Sequence, residues 1–189
     1  MRTLVPEGVV LIPKYAVRVF EGVFFDVYQW QQELFDGSHA TFEMLKRPDT
    51  VVVIAVRDNK ILILDQEQPG RSSFYDLPCG RHDVESETEL DAARREVLEE
   101  TGMSFADWKL VAVEQPQSKV DWLIYTFIAT SFIDETEQNL DAGERIRVEL
   151  KSFDDAKKLM SDPKVRFPNK TLMEAGSLQD LLALPDISK

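Results

Sequence analysis

The sequence predicts an α/β protein of the α+β type, in which a mixed sheet is packed between helices. Strand-like apolar alternation dominates the first third of the 189-residue chain. One well-marked helical period runs from Thr88 to Thr101, and strand-like stretches return before helical patterns close the chain. Strands and helices do not alternate regularly, so we expect a sandwich rather than a βαβ array.

The N-terminal stretch predicts antiparallel strands. Residues 15–35 have strand-like alternation, Asp36 and Gly37 are typical of a hairpin turn, and residues 39–45 would be the returning strand. We therefore expect residues 1–46 to form a β extension, and residues 47–189 to form the main domain with its C-terminal helices.

The centre of the main domain is predicted from a continuous apolar run. Residues 51–56 are mostly β-branched, as expected for a strand that is buried on both faces. Residues 61–64 pair back after a turn at Asp58 and Asn59. A short segment at residues 74–80 then leads towards the helix.

The helix is predicted from apolar residues that recur at helical spacing, including Leu90, Ala93 and Val97. Ser86 and Glu89 have the spacing of a capping box, which predicts where the helix begins. Gly102 is typical of the residue that ends a helix. The sequence therefore predicts one capped helix of about 14 residues in the middle of the chain.

The C-terminal half predicts more strands and then helices. Strand-like stretches occur at residues 110–115, 120–129 and 146–153. Two helices are expected near residues 154–160 and 170–182, with prolines separating them. The central helix is thus flanked by strands on both sides in the sequence.

The composition limits the classes of function. The net charge is −12, from 22 Lys plus Arg against 34 Asp plus Glu, which argues against general nucleic-acid binding. Cys79 is the only cysteine, so no disulfide can form within the chain. No apolar stretch has the length of a membrane span. We therefore expect a cytoplasmic protein that binds neither membranes nor nucleic acids.

Three carboxylates of the predicted helix point to a metal site. Glu96, Glu99 and Glu100 stand at positions i, i+3 and i+4, which share one helix face and repel each other. A solvated acidic face is the alternative for any glutamate-rich helix. A hard divalent cation would relieve the repulsion, and Mg²⁺ suits carboxylates combined with phosphates, with Mn²⁺ as an alternative.

The segment around these carboxylates resembles the signature of the Nudix hydrolases. That signature reads Gly, five residues, Glu, seven residues, Arg-Glu, an aliphatic residue, any residue, Glu-Glu, any residue, Gly and an aliphatic residue. Glu87, Arg95 and Met103 match it, whereas six residues rather than five separate Gly80 from Glu87. The resemblance implies a Nudix-type α/β/α sandwich of mixed sheet and a pyrophosphohydrolase.

The resemblance also implies the metal ligands. Glu96 and Glu100 would be the principal ligands, and Glu99 would lie close behind them with a part in catalysis. A backbone carbonyl oxygen at the turn, of Cys79 or of Gly80, would add another ligand. The bound cations would neutralise the diphosphate and activate a water molecule.

Other residues of the resemblance have supporting or catalytic roles. Glu87 and Arg95 would form an ion pair that holds the loop against the helix. An acidic residue on the loop before the late strand would act as the general base, with Glu144 as the first candidate and Asp141 as the second. An ordinary exposed loop residue is the alternative for Glu144.

The likeness is greatest to the branch of ADP-ribose pyrophosphatases and nucleoside-diphosphate-sugar hydrolases. It implies cleavage of a small nucleoside diphosphate derivative, with ADP-ribose as the first choice, to a nucleoside monophosphate and a sugar phosphate. Gln68 stands where the branch often has an arginine, Arg71 could replace that arginine, and Pro116 lies near a proline of the branch. A hydrolase of dinucleotides or damaged nucleotides and an inactive Nudix-like binding or regulatory module are the alternatives.

We also expect a homodimer. The N-terminal strands are rich in aromatic residues and precede the predicted metal site, so they are not needed to complete it. Apolar surface outside a core is typical of an interface. The branch that this chain resembles also tends to dimerise through this region.

Overall fold

The structure is a computed structural model that describes residues 2–188. The N-terminal part forms a four-stranded sheet in the order β1-β2-β3-β9. β1 to β3 are antiparallel, and β9 adds to β3 in parallel. These strands are β1 Val17–Phe20, β2 Asp26–Glu33, β3 His39–Lys46 and β9 Val120–Asp121.

The second sheet has seven strands and forms the centre of the molecule. Its order is β11-β5-β4-β10-β8, with β6 beside β5 and β7 beside β4. β4 and β10 are parallel and the other pairs are antiparallel, so the sheet is mixed. The strands are β4 Asp49–Arg57, β5 Lys60–Glu67, β6 Phe74–Asp76, β7 Cys79–His82, β8 Met103–Glu114, β10 Ile124–Glu135 and β11 Arg145–Lys151.

Helices cover both faces of the seven-stranded sheet. Alternate residues of β4 belong to two separate apolar clusters: Val53 packs in the cluster that contains Ala93, and Ile54 packs in the cluster that contains Leu172. The predicted α+β class and the strand buried on both faces are therefore confirmed. No helix within residues 2–188 is long and apolar enough to cross a bilayer. The helices are α1 Glu89–Thr101, α2 Phe153–Leu159, α3 Lys170–Glu174 and α4 Leu178–Leu182.

The predicted capping box at the start of α1 is wrong by two residues. Thr88 is the N-cap, and its side chain accepts a hydrogen bond from the backbone N–H of Asp91, whose carboxylate reaches back to Thr88. Ser86 instead has a φ of 67°, so it belongs to the loop before the helix. The prediction for Gly102 is confirmed, because this residue has a φ of 72° and caps the C-terminus.

Several other element boundaries differ from the sequence predictions, including that of β8, which begins at Met103 rather than at residue 110. The predicted strand at residues 120–129 is divided, because β9 pairs with β3 while β10 crosses to β4 and β8. The predicted helix at residues 170–182 is divided into α3 and α4, since Ser177 is an extended N-cap. The N-terminal hairpin is present, but residues 34–38 form its loop rather than a two-residue turn.

The first residues of the chain pack against the seven-stranded sheet and α1. Arg2 pairs with Asp49 and Asp121, at 2.6 Å in each case. Thr3 donates two hydrogen bonds to Glu89, the first residue of α1, and Leu4 packs against the cluster beneath α1. Residues 2–4 therefore contact the main domain, although the sequence assigns them to the N-terminal extension.

Candidate active site

One cavity of about 750 Å³ collects most of the polar residues that the sequence predicts. It is lined by β5, β7, α1 and the loops that precede β11 and α3, and Phe24 and Arg47 reach it from the N-terminal part. The carboxylates that line it include all five from the predicted metal and base positions. They are Glu96, Glu99, Glu100, Asp141 and Glu144.

α1 delivers the most deeply buried of these carboxylates. Glu100 is 5% exposed and accepts a hydrogen bond of 2.9 Å from the backbone N–H of Cys79. Burial raises the pKa of Glu100 well above its usual value, and the nearby charges of Glu96 and Glu144 raise it further. Burial likewise raises the pKa of Glu96. The free site therefore disfavours its own negative charges, as a site built for a cation would.

Arg95 holds the loop before α1 and two of the carboxylates together. Its guanidinium donates to Glu87 at 2.8 Å, to Glu96 at 2.6 Å and to Glu99 at 3.2 Å. A further hydrogen bond of 2.9 Å reaches the backbone carbonyl of Arg81. The ion pair between Glu87 and Arg95 is thus present in the structure.

Gly80 allows the turn to approach α1 closely. A Cβ atom at this position would overlap the carboxylate of Glu96, well inside the 3.0 Å that real Cβ contacts respect. The neighbouring Cys79 is buried, and burial raises the pKa of its thiol well above the usual value, which suits an inert thiol. The turn therefore lies directly against the carboxylates of α1 and offers no reactive thiol.

The chemistry of the donors fits a divalent cation, although their arrangement is not that of a loaded site. Within residues 2–188, no three His, Cys, Asp or Glu side chains are grouped so that they could hold a metal ion. The guanidinium of Arg95 occupies Glu96 and Glu99. A cation would have to displace Arg95 from these oxygens. The buried carboxylate of Glu100 would then favour binding of the cation, which compensates its charge.

The other predicted site residues are divided between the cavity and the surface. Glu144 lines the cavity and accepts a hydrogen bond of 3.4 Å from Gln68. Its backbone N–H donates to the carbonyl of Asp141 at 2.9 Å, and burial raises the pKa of its carboxyl group. Arg71 lines the same cavity, whereas Pro116 lies in the loop between β8 and β9 and is not part of the cavity wall.

The structure adds an arginine from the C-terminal part that the sequence analysis missed. Arg166 lines the cavity, pairs with the buried Asp76 at 2.7 Å and donates to the sulfur of Cys79 at 3.2 Å. Burial raises the pKa of Asp76 to about 6, and Arg166 opposes this shift. Arg166 and Asp76 are 90 residues apart, so no local pattern could have linked them.

The N-terminal part also contributes to the cavity. The guanidinium carbon of Arg47 lies 4.4 Å from the ring centre of Phe24 and 4.2 Å from that of Trp122. Trp122 is buried and donates a hydrogen bond to Thr50, another residue of the cavity wall. The aromatic residues of this region are predicted from the sequence to form an interface, but one of them, Phe24, lines the cavity.

Comparisons with known proteins agree with this fold. The family model of the NUDIX domain matches residues 46–173. The chain is 30% identical over 152 residues to the ADP-ribose pyrophosphatase of Bacillus subtilis (strain 168), covering 78% of this chain and 82% of the relative. The sequence relationship extends over most of both proteins.

Two solved structures are similar to this one. The crystal structure of an ADP compounds hydrolase has a TM-score of 0.66 and 19% identity and is matched over 89% of each chain, which shows a shared fold. A NUDIX hydrolase from Nitrosomonas europaea has a TM-score of 0.53 and 26% identity, over 64% of this chain and 81% of the other. Fold and relatives thus define an enzyme that hydrolyses phosphorus anhydrides.

Within that class, the chain belongs to the Nudix family. It is a pyrophosphohydrolase, so the alternative of an inactive binding module is set aside. Nudix hydrolases generally use divalent metal ions, and the glutamates of α1 are donors of the appropriate kind.

Proposed function

We propose that this enzyme hydrolyses the pyrophosphate bond of ADP-ribose or of a closely similar nucleoside diphosphate sugar, with Mg²⁺ as the cofactor. The products would be a nucleoside monophosphate and a sugar phosphate. The observation that carries the proposal is the convergence of Glu96, Glu99, Glu100 and Glu144 on one cavity of about 750 Å³. A cavity of that size suits a small-molecule ligand, and the relative from Bacillus subtilis supports the choice of ADP-ribose.

The residues of α1 and of the preceding turn would hold the cation. Glu96 and Glu100 are the principal ligands in this proposal, with Glu99 beside them and the carbonyl oxygen of Cys79 or Gly80 as a further donor. When bound, Mg²⁺ would neutralise the diphosphate and lower the pKa of the attacking water. Mn²⁺ would serve the same donors. Arg95, once released from Glu96 and Glu99, stays anchored to Glu87 and keeps the loop in place.

Glu144 is the proposed general base. It shares the cavity with the helix carboxylates, and its raised pKa brings it closer to the neutral range in which a base is effective. We expect Glu144→Gln to lower kcat by about 10²-fold or more, whereas Asp141→Asn should have a smaller effect. A larger loss of kcat in Asp141→Asn than in Glu144→Gln would transfer the role to Asp141.

The two ends of the substrate would meet different walls. Phe24 and the guanidinium of Arg47 offer a flat surface for a base, because planar groups stack on aromatic rings and guanidinium groups. Gln68 and Arg71 would contact the remaining polar groups. Pro116 has no place in this proposal within one subunit, since it lies outside the cavity wall.

We further propose that the enzyme is a homodimer in which residues 1–46 supply most of the interface. β1 has only β2 as its neighbour in the sheet, and all four of its residues are exposed. Exposed apolar strands of this kind are typical of interfaces. The one buried thiol, Cys79, suits a reducing compartment such as the cytoplasm.

A substrate screen tests the proposed activity. The wild-type enzyme would be assayed with ADP-ribose, UDP-glucose, GDP-mannose, NADH and diadenosine polyphosphates, with Mg²⁺ and with a chelator. We expect the highest kcat/KM for ADP-ribose and no turnover in the chelator. A preference of more than about tenfold for NADH or for a diadenosine polyphosphate would refute the substrate while leaving the metal chemistry intact.

A further inference from the structure

We propose that Gln66 and Arg166 form an anion subsite that binds a phosphate group of the substrate through protein donors rather than through the metal. The subsite lies where β5 and the loop before α3 line the cavity described above. This inference rests on the proposed function, because it takes the ligand to be a nucleoside diphosphate derivative. In this proposal, Gln66 and Arg166 bind the phosphate directly, whereas the carboxylates of α1 can bind it only through a cation.

Gln66 carries the first observation. Its side chain is buried, with the residue only 1% exposed, and it lines the cavity. The side-chain nitrogen Nε2 has no hydrogen-bond partner within residues 2–188. A buried donor without an acceptor costs free energy, and such groups are rare in folded proteins. An acceptor that arrives with the ligand would satisfy this donor.

Arg166 carries the second observation. Its side chain is 21% exposed, and two of its nitrogens are fixed by Asp76 and by the sulfur of Cys79. The guanidinium also lies 4.9 Å from the ring centre of Phe74. A guanidinium that is oriented in this way before the ligand arrives loses little freedom on binding a phosphate.

The backbone places Arg166 beside β6. Val165 and Tyr75 form a parallel β-bridge. The N–H of Tyr75 donates to the carbonyl of Lys164 at 2.9 Å, and the N–H of Arg166 donates to the carbonyl of Tyr75 at 3.1 Å. The loop before α3 is therefore held at the edge of the seven-stranded sheet, and Arg166 is not a freely moving surface residue.

The pairing of β5 with β6 puts both residues on one face. Leu64 is opposite Asp76, and Gln66 is opposite Phe74, so these four side chains share a face of the sheet. Asp76 and Phe74 both contact the guanidinium of Arg166. Gln66 and Arg166 thus lie on the same wall of the cavity.

The charge of the cavity explains why such a subsite is needed. Carboxylates line the α1 side, so a diphosphate there depends on the cation. Two other arginines of the wall are paired with carboxylates, Arg95 with those of the metal site and Arg81 with Asp83. Arg47 and Arg71 contact the aromatic rings of Phe24 and Phe74 instead. A phosphate oxygen that points away from the metal would find its donors in Arg166 and Gln66.

The alternative role for Arg166 is that of a structural partner of Asp76. Replacing Arg166 alone would leave the buried carboxylate of Asp76 unpaired and would confuse the two roles. The decisive comparison is therefore between Asp76→Asn and the double variant Asp76→Asn/Arg166→Gln, in which both members of the pair are neutral. Arg57→Gln is a matched control, because the side chain of Arg57 is 25% exposed, pairs with Glu135 and lies outside the cavity.

Two measurements would be made on these proteins and on Gln66→Met. The first is steady-state kinetics with ADP-ribose and Mg²⁺, and the second is the Kd of α,β-methylene-ADP with Mg²⁺ by calorimetry. Adding Arg166→Gln to Asp76→Asn should raise KM and Kd by about tenfold and change kcat much less. Gln66→Met should raise Kd while its Tm stays equal to that of the wild type or increases, since the unpaired donor is removed.

Equal KM and Kd in Asp76→Asn and in the double variant would overturn the role of Arg166. A lower Tm with an unchanged Kd in Gln66→Met would show that Gln66 is structural. If the wild type cleaves no ADP-ribose, the proposed function fails, and the Kd of magnesium pyrophosphate across the same variants then decides the subsite by itself. A wild type that binds neither α,β-methylene-ADP nor pyrophosphate would reject the subsite as well.

Discussion

Glu100 has a buried carboxylate and a predicted metal-binding role. Its burial destabilises the metal-free protein, whereas its role as a ligand supports turnover. We expect Glu100→Gln to fold normally, because an amide oxygen can still accept the hydrogen bond from Cys79. Turnover should fall sharply, since losing one ligand removes several kcal/mol, as an order of magnitude, of charge stabilisation in the transition state. Circular dichroism together with kcat at saturating Mg²⁺ checks this prediction, and near-normal turnover in a folded variant would contradict it.

The same substitution should alter stability in the metal-free protein. The pKa of Glu100 is raised in the folded state by burial, so the stability that its protonated form contributes is lost as the pH rises through that raised pKa. Glu100→Gln removes this loss. In a chelator, the variant should therefore gain in unfolding free energy relative to the wild type as the pH increases above about 4.5. If the difference in unfolding free energy between Glu100→Gln and the wild type did not change with pH, the raised pKa of Glu100 would be refuted.

Gly80 gives a second prediction at the residue scale. In Gly80→Ala the new methyl group would overlap the carboxylate of Glu96, which must move because it is the flexible end of a side chain. We expect the fold to survive and the Mg²⁺ concentration for half-maximal activity to rise. Gly143→Ala is the matched control, since its Cβ would meet only Pro69 at 3.8 Å. Equal Mg²⁺ requirements in the two variants would argue against Glu96 as a ligand.

The sequence patterns that predicted individual site residues were spacings between residues close together in the chain. The spacing of Glu96, Glu99 and Glu100 along one helix places them together wherever the helix lies. Arg166 and Gln66 reach the cavity through strand pairing and a distant loop, and neither has a spacing that marks it. Prediction from one sequence therefore recovered the carboxylates of α1, the turn before this helix and Gln68, but neither Gln66 nor Arg166 as binding residues.

The N-terminus of α1 supplies a prediction at the scale of a single element. Thr88 caps the helix that carries the predicted metal ligands. Thr88→Ala should lower the unfolding free energy by about 1 kcal/mol. Ser86→Ala should change it by less than about 0.5 kcal/mol, because Ser86 lies in the preceding loop. Urea unfolding of both variants measures the difference, and the reverse order would restore Ser86 as the cap.

Elements were predictable where one periodicity ran without interruption. β4 and α1 have such patterns, and both lie where the sequence places them. The division of the stretch at residues 120–129 depends on β3, which recruits β9 from a segment 75 residues or more further along the chain. The break between α3 and α4 depends on a local cap at Ser177 that competes with the helical pattern. Tertiary pairing decided the first of these boundaries, and a local cap decided the second.

At the scale of the whole molecule, the N-terminal strands lead to a prediction about assembly. Val19 on β1 is an apolar residue that is 51% exposed. If β1 lies in a dimer interface, Val19→Glu should produce monomers, since a buried unpaired charge is costly. Ile133→Glu is the control, because Ile133 is 62% exposed on β10, outside the N-terminal sheet.

Light scattering at micromolar concentration measures the outcome. We expect the wild type and Ile133→Glu to have twice the chain mass of 21.7 kDa, and Val19→Glu to have the chain mass alone. A wild type that remains at 21.7 kDa would exclude the dimer. A dimer that persists in Val19→Glu would place the interface on another surface.

Trp122 gives the enzyme an intrinsic optical signal. The indole is buried, donates to Thr50 and lies 4.2 Å from the guanidinium carbon of Arg47, and both neighbours line the cavity. A nucleotide that stacks on Arg47 would change the electric field at this one indole, so its fluorescence emission would follow occupancy without an added label. Replacing Trp30 and Trp108 by phenylalanine would isolate the emission of Trp122. Rapid-mixing fluorescence could then time the arrival of substrate separately from its cleavage.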